Sequence, residues 1–508
     1  MTLDRTLITA KAAVSSGPDF DGPAGVVIEG NRILAIGPVE QMSVHGPFAA
    51  VIGDSSRHIV VPGLVNAHHH SFRPNRRAGT TGISELHLAQ MRRRKLPSLS
   101  PDEIALHSTW TASKLLLSGV TTFADGFPND PRLPDFGLEA SIDAYLRSGL
   151  RVAVFARLSD QCTFAYEPDH VFLDRLPEPI RGEVSGSLRP FDPTHFFEVW
   201  NSVSDAYDGL NGRIRIGLGP TGDLWCSDDL LRRIKAEADH RSSPIQTHLL
   251  FSPFQVVASD RLFGKSCVQR LTDLGFLGRN VSLAHAGWVA QGDMDLLARS
   301  GATVVHCPGS NLSSGLGVAP VPEFLESGCA VALGLDGAGF DPSFDMFVEM
   351  RLALQLHRRP GPGGRGLSSM DVFRMATSSA HEALGMPIRI GLLEAGAAAD
   401  LVLLDAHAIG LPPYADQSPP VRLTVGAATA AAVDVVIVDG VIRVEGGSLV
   451  GVDIDAVTSQ VRECVDRVDP LLEEADREFR SLEPYIQAHF NEYDLEAAGI
   501  RLSPYGFS

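Results

Sequence analysis

A chain of 508 residues is longer than one compact core accommodates, so a large domain with a smaller companion is expected. Apolar residues make up 44% and charged residues 20%, mean hydropathy is near zero, and no apolar run is long enough to span a bilayer, which excludes a membrane-embedded class. The formal charge of −18 argues against nucleic-acid binding, which needs a basic surface, and leaves a small molecule as the expected partner.

The N-terminus, MTLDRTLITAKAAV, lacks a basic segment followed by an apolar stretch and a cleavage site, so a cytoplasmic location is expected. In residues 1–60, GVVIEGNRILAIG reads as two strands around a Gly-Asn turn, and the same texture returns at 400–449 in ADLVLLD and VDVVIVDGVIRVEGG. The two ends, 1–60 and 391–452, are therefore expected to build one β-sandwich domain. Between them, across 61–390, eight short apolar strands alternate with helical stretches: VPGLVNAHHH, VTTFADGF, RVAVFARL, IRIGLGP, PIQTHLL, VSLAHAG, TVVHCP and VALGLDG. Eight βα units of this kind predict an α/β fold, a (β/α)₈ TIM barrel.

One connecting helix is well marked, with Ser100 as N-cap, Pro101 at the first position, Glu103 completing a capping box and Gly119 just past the end. The stretch from about 159 to 200 is rich in Pro, Asp and Phe and reads as a long insertion after the third strand. RRPGPGGRG at 358–366 reads as a flexible connector, and a helical tail over 453–508 is expected to be interrupted at Pro470. The six cysteines form no C-x-x-C pair, which fits reduced thiols packed in a core.

Side chains alternate faces along a strand, so His68 and His70 in VNAHHHS point the same way and His69 the opposite way. Their place at the end of the first strand puts them at the C-terminal mouth, where barrel enzymes keep their chemistry. H-x-H alone is a weak signal. It gains weight because His248, His285, His306 and Asp336 stand at the ends of other strands. Imidazoles with one carboxylate and an open position for water suit Zn²⁺ or Fe²⁺ rather than the oxygen cages of Ca²⁺ or Mg²⁺.

The run PGLVNAHHH, THLL, LAHAG, HCPGSN and LGLDG, in that order and spacing, resembles the amidohydrolase superfamily. The resemblance covers nearly the whole chain, including GLLEAGAAADLVLLD, similar to the return strand of that family's split β-domain. Within the family the likeness is to the branch of cytosine, guanine, 8-oxoguanine and S-adenosylhomocysteine deaminases and triazine hydrolases. It implies one divalent metal, zinc with iron as the alternative, bound by His68, His70, His248 and Asp336. It further implies that His285 hydrogen-bonds the attacking water or the substrate, and that Asp336 takes the water's proton and passes it to the leaving group. Binuclear members carry a carboxylated lysine on the fourth strand; IRIGLGP has neither Lys nor Glu, so a single metal is expected. Relatives form dimers or tetramers, and a homo-oligomer is expected here.

One departure matters. The branch continues its fifth-strand histidine as H-x-x-E, whose glutamate protonates the ring nitrogen; here the run is His248-Leu249-Leu250-Phe251. Glu85 and His87 on the loop after the first strand are substitutes by type only. The expected reaction is hydrolysis of a C–N bond (amide, urea, cyclic amidine or ring amine) in a small, heterocyclic substrate. The alternatives are a metal-dependent decarboxylase or lyase and a binding protein of the same fold. Expected substrate contacts are Phe251, Trp225 by stacking, Asn311 by orienting substrate or loop, and Arg73 by gripping a substrate carboxylate, against the plainer reading of Arg73 as a solvent-facing loop residue. Arg76 and Arg77 follow it, and Arg92, Arg93, Arg94 and Lys95 read as a solvated helix face.

Overall fold

The computed structural model describes residues 5–15, 22–71, 99–127, 137–187, 191–337, 343–359, 361, 366–410 and 418–500. The eight apolar runs are parallel strands, adjacent in chain order: Leu64–His70, Val120–Phe127, Arg151–Leu158, Ile214–Pro220, Ile245–Leu249, Val281–His285, Thr303–His306 and an eighth in two pieces, Ala330–Leu333 and Asp336–Gly337. The first piece of the eighth strand pairs with the seventh, and the second pairs with the first strand through Asp336↔His69 and Gly337↔His70, so the sheet closes into a barrel. Buried Asn66 helps close it, its side-chain oxygen accepting the backbone N–H of Leu335 at 3.0 Å. Strands covered by helices outside and by packed side chains within have no wet face, which is why they read as apolar runs rather than alternations.

The helix joining strands one and two spans Pro101–Leu117 and carries the expected capping box between Ser100 and Glu103. The expected insertion is shorter than its composition suggests. It contains Asp169–Asp174 and Ile180–Ser187, but from Pro193 the chain is already in the helix Pro193–Tyr207, capped by Asp192 through Thr194 N–H and His195 N–H.

The strands of the two chain ends form one mixed eight-stranded sheet, in which Leu401–Asp405 lies antiparallel to Ala50–Pro62 and so joins the N- and C-terminal halves. One face buries Ile8, Val26, Ile28, Val60, Leu401, Leu403 and Ile437 together. Arg151, fully buried at the start of the third barrel strand, ties the barrel to this sheet by donating to Asp400 at 2.7 and 3.1 Å and to Asp439 at 2.7 Å.

The tail departs from expectation, because the helix Ile454–Arg480 runs through Pro470 instead of stopping there. Its buried stripe, Val461, Cys464, Val468 and Leu472, continues across the proline, and this packing offsets the roughly 3 kcal/mol that an internal proline costs. The helix lies against Pro101–Leu117, where Trp110 Nε1–H donates to Thr458 at 3.1 Å and Arg467 pairs with Glu103. A second helix, Glu483–Asn491, follows. No helix among the described residues is long and apolar enough to cross a membrane, and all six cysteines are buried and outside any disulfide.

Candidate active site

Four imidazoles and one carboxylate meet at the C-terminal mouth of the barrel. His68 and His70 end the first strand, His248 sits on the fifth, His285 ends the sixth and Asp336 opens the second piece of the eighth. The Nε2 atoms of His68 and His70 each stand 3.7 Å from Asp336 Oδ1, His285 Nε2 is 3.9 Å from Asp336 Oδ2, and His70 Nε2 is 3.2 Å from His248 Nε2. Two overlapping triads with metal-ligand spacing result, His68/His70/Asp336 and His68/His248/His285. Five donors therefore converge, one more than the four ligands implied by resemblance.

Backbone shape aims these groups. Leu250, His285, Ala286 and Asp336 have φ of 43°, 73°, 51° and 59°, so the chain turns sharply in the left-handed region where three of the strands end. Non-glycine residues bear that conformation at a cost of about 1 kcal/mol or more each, and such strain clusters at functional sites. Glycine is required at two close approaches: a Cβ on Gly126 would stand 2.6 Å from the His70 ring, and one on Gly334 would stand 2.8 Å from His68 Cβ.

The hydrogen bonds fix which nitrogen of each ring faces inward. His70 Nδ1 gives its proton to the Gly126 carbonyl at 2.9 Å and His248 Nδ1 to the Thr221 carbonyl at 2.7 Å. His68 Nδ1 donates to Gln246 Oε1 at 2.7 Å, and that amide is itself oriented by donating to the Ala67 carbonyl and to Ser282 Oγ. His285 Nδ1 donates to Asn311 Oδ1 at 2.8 Å, while Asn311 Nδ2 donates to the Gly317 carbonyl. Every inward Nε2 therefore carries a lone pair. Burial reinforces this by disfavouring the charged ring: it drives His68 down to about 4, against an opposing pull from Asp336, and His248 well below its usual value. The buried Nε2 of His68 has no hydrogen-bond partner, and Asp336 is steadied by Ser310 Oγ donating to Oδ2 at 2.6 Å. Neutral imidazoles plus a carboxylate, held by outer hydrogen bonds, fit a divalent metal of the zinc type.

Phe251 stands beside the cluster, its ring 5.8 Å from His285 and 6.4 Å from His248. Trp225 stacks on it nearly parallel at 5.8 Å but is only 2% exposed, so it shapes the wall through Phe251 rather than offering an open face of its own. Asn311 accepts from His285 Nδ1–H and donates to the Gly317 carbonyl, so its amide orients His285 and the loop that follows. His306 turns away from the cluster, its Nε2 lying 3.3 Å from that of His357. Arg73, Arg76, Arg77, Glu85, His87 and the run from Arg92 to Lys95 lie outside the described residues.

Sequence reasoning misses Gln246, Ser310 and Arg157. Gln246 is findable, since it precedes His248 by two and shares its face. Arg157, near the end of the third strand, is close enough for its charge to help keep His68 and His248 neutral.

Fold and site together define a barrel hydrolase equipped for a metal. The chain belongs to the amidohydrolase family, whose profile matches residues 59–443, and it is an enzyme acting on carbon–nitrogen bonds other than peptide bonds. It is 29% identical over 395 residues to a 5′-deoxyadenosine deaminase of Methanosarcina barkeri, covering 77% of this chain and 82% of that protein. To a 5-methylthioadenosine/S-adenosylhomocysteine deaminase of Syntrophobacter fumaroxidans it is 28% identical over 461 residues, covering 89% and 95%. Among solved structures it resembles a zinc-bound adenosine deaminase from Xanthomonas campestris, with TM-score 0.77, 23% identity and coverage of 92% and 99%. It also resembles a zinc-bound atrazine chlorohydrolase from Arthrobacter aurescens, with TM-score 0.74, 23% identity and coverage of 91% and 100%. At those identities the structural likeness speaks for the fold.

Proposed function

We propose that this enzyme hydrolyses the exocyclic C–N bond of a purine nucleoside, of the 5′-deoxyadenosine, 5-methylthioadenosine or S-adenosylhomocysteine kind. The observation that carries the hydrolytic part is the convergence of four Nε2 lone pairs in one cluster that also holds Asp336, with every Nδ1 proton already committed. A single divalent cation, zinc with iron as the alternative, held by His68, His70, His248 and Asp336, would supply a Lewis acid that brings the pKa of water to about 7. Asp336, steadied by Ser310, takes the proton of the attacking water and delivers it to the departing nitrogen. His285, with its Nδ1 proton given to Asn311, offers an acceptor nitrogen that holds the same water for attack. Phe251, backed by Trp225, gives a flat ring an apolar surface and keeps bulk water from the reacting carbon. The substrate class is taken from the curated relatives, which are deaminases at 27% to 29% identity.

Phe251 favours a second reading. No acid stands three residues after His248, so a ring nitrogen receives no proton from that position, and an amide, urea or cyclic amidine whose nitrogen leaves on the one proton from Asp336 suits the site. Both readings are tested by incubating the metal-loaded enzyme with purine nucleosides, pyrimidines, triazines, hydantoins and cyclic ureas, followed by mass spectrometry and an ammonia assay. Ammonia from an adenine nucleoside supports the first reading, and ring opening or amide cleavage the second. Metal-loaded protein that turns over none of them would sink both, and product lacking the label from isotopically labelled water would indicate lyase chemistry.

A further inference from the structure

The C-terminal segment lies beyond the residues matched by the family, yet it reaches the wall of the site. Phe490, in the helix Glu483–Asn491, sets its ring edge-on to Tyr166 at 5.4 Å and against Phe254 at 5.5 Å. Tyr493 packs on Phe254 at 6.0 Å, and its hydroxyl donates to the Tyr166 carbonyl at 3.4 Å. Polar contacts fix the segment in place: His489 Nδ1 lies 3.2 Å from Glu167, Arg175 bridges Glu167 and Glu492, and the Arg261 guanidinium covers the Tyr493 ring at 4.3 Å. From Tyr166 the rings continue inward, to Trp225 at 5.6 Å, from Trp225 to Phe251 at 5.8 Å, and from Phe251 to His285 at 5.8 Å. Four ring contacts thus lead from Phe490 to a histidine of the donor cluster. Tyr166 and Trp225 are 1% and 2% exposed, so neither has room to shift without its neighbours.

We propose that residues 483–493 are a specificity element of the active site, in which Phe490 and Tyr493 are positioning residues. They hold Tyr166 against Trp225 and thereby set how far the Phe251 ring stands from the donor cluster, which fixes the width of the slot for a flat substrate. The proposal rests on reading the site as a hydrolase of a planar heterocycle. The long helix Ile454–Arg480 provides the contrast, because Val468, Cys464 and Leu472 pack on Leu99 and on no ring of this series.

The test uses the full-length, metal-loaded enzyme in four forms: wild type, Phe490→Ala, the milder Phe490→Leu, and Val468→Ala as a control for lost packing in the tail. Steady-state kinetics on the substrate that the wild type hydrolyses, metal stoichiometry and hydrogen exchange are measured together. For Phe490→Ala, KM is expected to rise about three- to tenfold, the scale of an aromatic pair, while kcat and metal content stay within about twofold. Phe490→Leu should move the same way by less. Amide exchange in 221–226 and 250–252 should quicken at least about fivefold in Phe490→Ala and stay unchanged in Val468→Ala. Unchanged KM and exchange in both Phe490 variants would overturn the proposal, as would an equal KM rise in Val468→Ala. If the wild type hydrolyses nothing while exchange responds as stated, the functional reading fails and the positioning role stands.

Discussion

Replacing Gln246 by Leu tests whether the outer hydrogen bonds prepare the donor cluster for a metal. The side chain is 5% exposed and accepts the Nδ1 proton of His68 at 2.7 Å, so the substitution keeps the volume and removes that acceptor. His68 is then left with a buried donor that nothing satisfies, a defect of about 1–3 kcal/mol. The ring relieves it by moving its proton to Nε2, the nitrogen that faces Asp336. Either outcome weakens metal binding, and loss of an outer partner typically lowers affinity about 10- to 100-fold, or roughly 1.4 to 2.8 kcal/mol. Competition with a chelator of known affinity at fixed pH reads the metal Kd, and denaturant unfolding of the metal-free protein separates any general loss of stability. Gln246→Glu keeps an acceptor for His68 and makes it more basic, so its Kd should hold or fall. Wild-type metal affinity in Gln246→Leu would refute the reasoning.

Other expectations follow from the same geometry. His248→Ala should lose metal and lower turnover by at least about 10³-fold, and wild-type turnover in that variant would remove the metal from the reaction. Phe251→Glu puts an acid beside the cluster and should raise ammonia release from adenine nucleosides about tenfold or more, a fraction of what a well-placed general acid supplies; no change would leave Phe251 without a role in choosing the reaction. Burial lowers His68 and His357 to about 4 and holds His248 and His306 well below their usual value, so below pH 6.5 the unfolded chain binds more protons than the native one. The stability these neutral rings contribute is present above pH 6.5 and lost as pH falls toward 4, so the Tm of metal-free protein should drop across that window, and a flat profile to pH 5 would contradict it. Arg151→Met strands Asp400 and Asp439 against the barrel and should cost about 3–5 kcal/mol in denaturant unfolding, with a loss below about 1 kcal/mol counting against the network.

The sequence is most informative where one local rule acts alone. Strands buried on both faces must be apolar throughout, so the eight runs stand out, and period-two alternation is enough to put His68 and His70 on one face. Ser100, Pro101 and Glu103 announce a helix because a capping box is a local device. What stays hidden depends on groups distant in the chain. The bond from Ser310 to Asp336 spans 26 residues and that from Gln246 to His68 spans 178, and neither a serine nor a glutamine advertises such a task. Asn311 reads as orienting substrate or loop, and nothing local announces that its partners are His285, 26 residues away, and Gly317. Pro470 reads as an end to the tail helix, and the buried stripe on both sides of it overrides that local preference.

The eighth strand breaks at Gly334 and Leu335, and only its second piece meets the first strand. Asp336 is thus at once the residue that pairs across the last joint of the ring and, among the described residues, the only carboxylate of the donor cluster, facing the histidines that its partner strand carries. The final joint and the metal site are one seam. A cation held by Asp336 and His68 would act as a rivet across it, and part of the energy of metal binding would then go into keeping the barrel shut. The metal-free enzyme should therefore open first between its first and eighth strands, which would make the candidate active site also the fastening of the fold.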